Sequence, residues 1–119
     1  MHKNWPEVAA SLSGPLRELR TGAPDIMKGF SMLAKAALEA KALDTKTKEL
    51  IALAIAVTCR CDACITFHAE AAVRQGATRE EVLEAMGMTV YLGGGPSVMY
   101  AAQALEAYDQ YAAKAQAAA

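Results

Sequence analysis

The run Leu50-Ile-Ala-Leu-Ala-Ile-Ala-Val57 constrains this chain more than any other feature. On a helix it is apolar on every side, so the helix carrying it belongs at the centre of a packed structure, with neighbours all round. Asp44-Thr45 precedes it as a cap, and Arg60 to Asp62 breaks the pattern after it. The spacing predicts a helix over Lys46 to Thr58. The run is the longest apolar stretch in the sequence and falls well short of the roughly 18–20 residues of a membrane span.

The neighbours of that helix are predicted to be helices as well. The chain holds 27 Ala among 119 residues and few strong strand formers, which points to close-packed helices rather than a sheet. Trp5, Val8 and Leu12 share one face of a short helix that Gly14-Pro15 interrupts, with Leu16 and Leu19 continuing it. Thr21 to Pro24 reads as a loop. Ile26, Phe30, Leu33 and Ala37 form a stripe at helical spacing, in a helix ending near Lys41. After the central helix, another runs from about Asp62 to Gln75, where Gly76 suits a left-handed stop. Thr78-Arg-Glu-Glu81 is a capping box for a helix expected to turn Val82, Leu83, Met86 and Val90 inward. Gly93-Gly94-Gly95 stops it, and Pro96 opens a last helix presenting Val98, Ala102, Leu105 and Tyr108. The Ala-rich tail beyond Tyr111 is expected to fray. The expectation is an all-α compact bundle of five or six helices, one domain over residues 1–119 with its core at about 44–108.

Bulk properties narrow the function. An apolar content of 54% and a charged content of 21% describe a globular chain. A net charge of −1 disfavours nucleic acid as a partner. The first residues, Met-His-Lys-Asn-Trp-Pro-Glu, lack the apolar segment of a secretory signal, so a cytoplasmic location is expected. The apolar fraction is high for so small a chain, which predicts association into a homo-oligomer.

Chemistry concentrates in one place. Cys61, Cys64 and His68 lie at i, i+3 and i+7, on one face of the predicted Cys helix. A helix N-terminus stabilises a thiolate, a nearby imidazole can take its proton, and two thiols three residues apart can join as a disulfide. Glu49, on the preceding helix, reaches the group only if the fold brings it there. Cys59 adds a fourth donor, and a zinc site of Cys59, Cys61, Cys64 and His68 would staple little chain together, since all four lie within ten residues. Cys59 is expected to be a buried helix-end thiol. Redox use of Cys61 and Cys64, with neither metal nor cofactor, is the preferred reading.

Glu49-x11-Cys61-x2-Cys64-x3-His68 resembles the signature of AhpD-like alkylhydroperoxidases within the carboxymuconolactone decarboxylase superfamily. The similarity extends over roughly Asp44 to Tyr108. It implies an all-helical fold assembled as a trimer or hexamer, and peroxidase or disulfide-reductase chemistry without metal or haem. Under that resemblance Cys64 attacks the hydroperoxide, Cys61 closes the disulfide, and Glu49 and His68 relay the proton. A dithiol or lipoyl-type reductant protein restores the thiols. Family members of AhpD type carry a second His directly before the second Cys; here the position is Ala63. A decarboxylase acting on a small lactone acid is the alternative enzyme reading, and a non-enzymatic redox sensor is the alternative from another class.

Overall fold

A computed structural model describes residues 1–119 as seven helical segments and no strand. They are α1 (Trp5–Ser11), α2 (Ser13–Gly22), α3 (Pro24–Leu38), α4 (Thr45–Thr58), α5 (Asp62–Arg74), α6 (Arg79–Gly93) and α7 (Gly95–Ala118). Only Leu12 separates α1 from α2, and its carbonyl already accepts from Leu16 N–H at 2.9 Å. Counted as one bent helix they give six. The break falls at Leu12 rather than at Gly14-Pro15, because Pro15 sits early in α2, where a missing N–H costs nothing. The predicted loop at Thr21 to Pro24 shrinks to Ala23 alone, for the same reason at Pro24.

The core is built by α4, α5, α6 and α7, with α1 laid across α5 and α7. Leu53, Ala56 and Val57 of α4 meet Ile65 and Ala69 of α5, Val82 and Met86 of α6, and Ala101, Ala104 and Ala107 of α7. Trp5, fully buried, closes one end of this cluster. Its indole Nε1–H donates to Glu106 at 2.9 Å, and its carbonyl accepts from Thr66 Oγ1 at 2.7 Å. The aromatic anchor thus ties the N-terminus to both α5 and α7.

Several inward faces differ from the sequence expectation. On α6 the buried positions are Val82, Met86 and Thr89, while Leu83 and Val90 stay 43% and 37% exposed. On α7 they are Ser97, Ala101, Ala104, Ala107, Tyr108 and Tyr111, and Val98 and Ala102 face outward. Small residues take most of the α7 inner face, where Ala101, Ala104 and Ala107 share the core with Ala69 of α5. The α6–α7 junction is tight: a Cβ on Gly93 would collide with the buried Ser97 side chain. The tail beyond Tyr111 does not fray; α7 is helical to Ala118, as an Ala-rich segment with no helix breaker permits.

The central helix α4 is not covered all round. Its face with Leu53, Ala56 and Val57 is buried, yet Ile51 and Ile55 are 44% and 56% exposed. No side chain of α2 or α3 is buried, and the α3 stripe is open to solvent. No helix is long and apolar enough to cross a membrane.

Candidate functional site

The site lies where α4 hands over to α5. Helix α4 ends in a turn whose Arg60 N–H donates to Val57 O and whose Cys61 N–H donates to Ala56 O, both at 3.1 Å. This double closure is the Schellman arrangement, and it requires a left-handed residue between the helices. Arg60 occupies that position with φ 54°. The reversal places Cys61 at the N-cap of α5, where its sulfur accepts from Cys64 N–H at 3.2 Å.

Cys61 and Cys64 are joined as a disulfide, with Cα atoms 5.2 Å apart. Both are half-buried. The pair sits on the first turn of α5, where free N–H groups and the helix dipole favour a thiolate once the bond is opened. His68 lies one helical turn beyond Cys64. Its Nδ1 is 2.7 Å from Glu49 Oε1. Glu49 projects from the buried face of α4 and its side chain is 5% exposed, whereas that of His68 is 32% exposed. A carboxylate so buried needs a partner, and the imidazole supplies it while keeping an edge open to solvent. The fold therefore brings all four predicted residues onto the α4–α5 seam.

Cys59 does not join them as a buried thiol. It is the C-cap of α4 and is exposed. The last turn of α4 runs out of the core at Thr58, so Thr58, Cys59 and Arg60 all face solvent. No group of three or more His, Cys, Asp or Glu side chains converges on a common point as metal ligands would. Ala63 occupies the second position of α5, between the two cysteines.

The N-terminal segment borders the site, which the sequence did not signal. Lys3 Nζ pairs with Asp62, the residue after Cys61, and also donates to Gln103 Oε1 at 3.2 Å. His2 donates its backbone N–H to Glu106 Oε2 at 2.6 Å. Burial would raise the Glu106 carboxyl, but the N–H donors of His2, Lys3 and Trp5 outweigh it and hold the group below its ordinary range. These partners lie about a hundred residues apart in sequence, so no local pattern could have found them. The Arg60 side chain, by contrast, forms no hydrogen bond or ion pair, its backbone N–H alone being engaged, with Val57 O.

An all-helical bundle with a disulfide at one helix start and a buried carboxylate–imidazole pair beside it defines a class of thiol-bearing helical domains. The family model for the carboxymuconolactone decarboxylase family matches residues 24–107. The chain belongs to that family, which includes decarboxylases and alkylhydroperoxidases. It is 43% identical over 86 residues to an uncharacterised protein of Cupriavidus necator, covering 72% of this chain and 76% of that one. It is 42% identical to an uncharacterised Haemophilus influenzae protein, over 91% of this chain and 96% of the relative. Among solved structures, a carboxymuconolactone decarboxylase family protein of Legionella pneumophila, in its apo form, aligns with TM-score 0.89 and 50% identity. That alignment covers 91% of this chain and 96% of the other. A Thermotoga maritima family protein, for which involvement in an antioxidative response is suggested, aligns with TM-score 0.80 and 28% identity over 98% and 96% of the two chains.

Proposed function

We propose that this protein is a thiol peroxidase or disulfide reductase of alkylhydroperoxidase type, with Cys61, Cys64, His68 and Glu49 as its catalytic residues. The observation that carries the reading is the Cys61–Cys64 disulfide at the start of α5, one turn from an imidazole held at 2.7 Å by a buried carboxylate. The antioxidative role suggested for the Thermotoga maritima relative supports the same chemistry.

The cycle starts from the dithiol. His68, oriented by Glu49, takes the proton of Cys64, and the α5 N-terminus stabilises the thiolate. The Cys64 sulfur attacks the outer oxygen of a hydroperoxide ROOH. The O–O bond breaks, the alkoxide takes the proton from His68 and leaves as ROH, and Cys64 becomes a sulfenic acid. Cys61 then attacks the Cys64 sulfur, an S–S bond forms, and the hydroxyl departs as water. A dithiol, of the lipoyl type the family resemblance implies, opens the disulfide by exchange and is itself oxidised. The net change converts ROOH and one dithiol into ROH, water and one disulfide. With Ala63 between the cysteines, His68 is the single imidazole available to the relay. The working form in this reading is a homo-oligomer.

The test is peroxide consumption driven by a dithiol reductant. Cys64→Ser is expected to abolish turnover, and Cys61→Ser to stop after one equivalent with a sulfenic acid on Cys64. His68→Gln is expected to slow the wild-type rate by about 10²-fold, the usual contribution of a positioned acid–base group. Turnover that survives Cys64→Ser would overturn the mechanism. A wild type inert to several hydroperoxides, yet cycling cleanly between dithiol and disulfide, would assign the pair to redox sensing instead.

A further inference from the structure

The first residues of the chain are held more firmly than a terminus requires. Glu106 of α7 accepts the backbone N–H of His2 at 2.6 Å and of Lys3 at 3.0 Å, and the Trp5 indole N–H at 2.9 Å. Gln110, one turn on, accepts the Trp5 backbone N–H at 2.8 Å and donates through Nε2 to Lys3 O at 2.7 Å. Thr66 of α5 donates to Trp5 O at 2.7 Å. The arm is thus strapped to α5 and α7 at the start of α1. The strap engages every polar group of Lys3. Its backbone N–H and carbonyl are bonded, and its Nζ lies 5.3 Å from the centre of the Trp5 ring. The same Nζ donates to Gln103 Oε1 at 3.2 Å and pairs with Asp62. The two charged side chains are 33% and 38% exposed. An ion pair so wetted contributes little to stability and does not repay the ordering of a long side chain. What the strap achieves is a positive charge fixed against one particular carboxylate.

The place of that carboxylate gives the charge its meaning. Asp62 is the first residue of α5, directly after the N-cap Cys61 and in the same turn as Cys64. A negative charge there suits a helix start but opposes a thiolate in the same turn. The other charged or titratable groups around the cysteines are committed elsewhere. Glu49 and His68 hold each other at 2.7 Å. Cys59 and Arg60 face solvent in the turn between α4 and α5. On α7, Glu106 already accepts the N–H groups of the arm, and Gln103 is neutral. Lys3 is the cation paired with Asp62.

We propose that Lys3 is a positioning residue for the redox pair: by neutralising Asp62 it keeps the start of α5 able to hold a Cys64 thiolate. Lys3 makes no hydrogen bond to either sulfur and acts through Asp62. The N-terminal arm is in this way part of the electrostatics of the site. The assignment rests on the reading of Cys61 and Cys64 as a redox pair.

The test is the pH profile of Cys64 alkylation in the fully reduced chain, read at that residue by mass spectrometry. Lys3→Met leaves Asp62 uncompensated. It is expected to raise the Cys64 thiol by about half a unit and to slow alkylation at neutral pH about threefold, the effect of one unit charge about 8 Å away in water. Asp62→Asn is expected to shift the profile the other way by a similar amount. The double variant Lys3→Met/Asp62→Asn is expected to return close to wild type, and Lys3→Arg, which keeps the charge, to stay there. Molar salt is expected to shrink the Lys3→Met shift, because the pair is open to solvent. A Lys3→Met profile identical to wild type would overturn the proposal. So would a double variant as slow as Lys3→Met alone, which would assign Lys3 to holding the arm and not to offsetting Asp62. Failure of the redox reading shows separately, as a Cys61–Cys64 dithiol that hydroperoxide leaves reduced, whatever the alkylation profile.

Discussion

Two turns of this molecule have the same backbone and opposite chemistry. At the end of α4, Arg60 N–H donates to Val57 O and Cys61 N–H to Ala56 O. At the end of α5, Gly76 N–H donates to Val73 O and Ala77 N–H to Ala72 O. Each turn has one residue in the left-handed region, Arg60 with φ 54° and Gly76 with φ 81°. Each is followed by a helix cap. The second is built for stability. Gly76 adopts its φ without penalty, and Thr78 and Glu81 exchange hydrogen bonds in a full capping box at 3.1 and 2.8 Å. The first is built from residues a stability argument would not choose: an arginine where glycine fits, and a cysteine sulfur as the N-cap acceptor at 3.2 Å. Where local rules are broken without a packing gain, function is the reason to look for. Here the broken rules surround the disulfide.

That contrast can be broken or sharpened by substitution at matched positions. Gly76→Val forces a β-branched residue into the left-handed region and is expected to destabilise the fold by about 2 kcal/mol. A Cβ at Gly76 meets nothing within 4 Å, so the loss in denaturant unfolding does not come from a clash of the Cβ. Thr78→Ala removes the better of the two caps and is expected to cost about 1 kcal/mol in the same measurement. Arg60→Gly is the mirror substitution. It relieves the left-handed arginine and is expected to stabilise by about 0.5–1 kcal/mol, since the αL cost for an L residue slightly exceeds glycine's added chain entropy. A loss of stability in Arg60→Gly would mean that the arginine side chain contributes to the fold and that the two turns differ less than their chemistry indicates.

The legible parts of the molecule are those governed by short-range spacing. Glu49, Cys61, Cys64 and His68 could be picked out because three of them lie within two turns of one helix, and the capping box and Gly76 mark the α6 entry by residue type alone. Cys59 was misplaced because exposure at a helix end depends on where the chain turns next, which no periodicity encodes. On α6, Val82 and Met86 are buried as the spacing predicts and Leu83 and Val90 are not; on α7, Tyr108 is buried and Val98 is not. Val98 promises more burial than Ala101 or Ala104, yet the small side chains take the core positions beside Ala69 of α5. The α3 stripe was legible as a helix, but its lack of cover within one chain was not, because amphipathicity does not say which surface completes it. The Lys3–Asp62 pair spans 59 positions and exists only through the tertiary fold.

The central claim is that Cys61 and Cys64, and not Cys59, carry the redox cycle, and a single-turnover thiol count tests it most directly. The fully reduced protein has three alkylatable cysteines. After one equivalent of hydroperoxide, the account predicts that one remains, that mass spectrometry locates it at Cys59, and that one equivalent of alcohol has formed. Three thiols still present after exposure to peroxide, or a disulfide that includes Cys59, would contradict it.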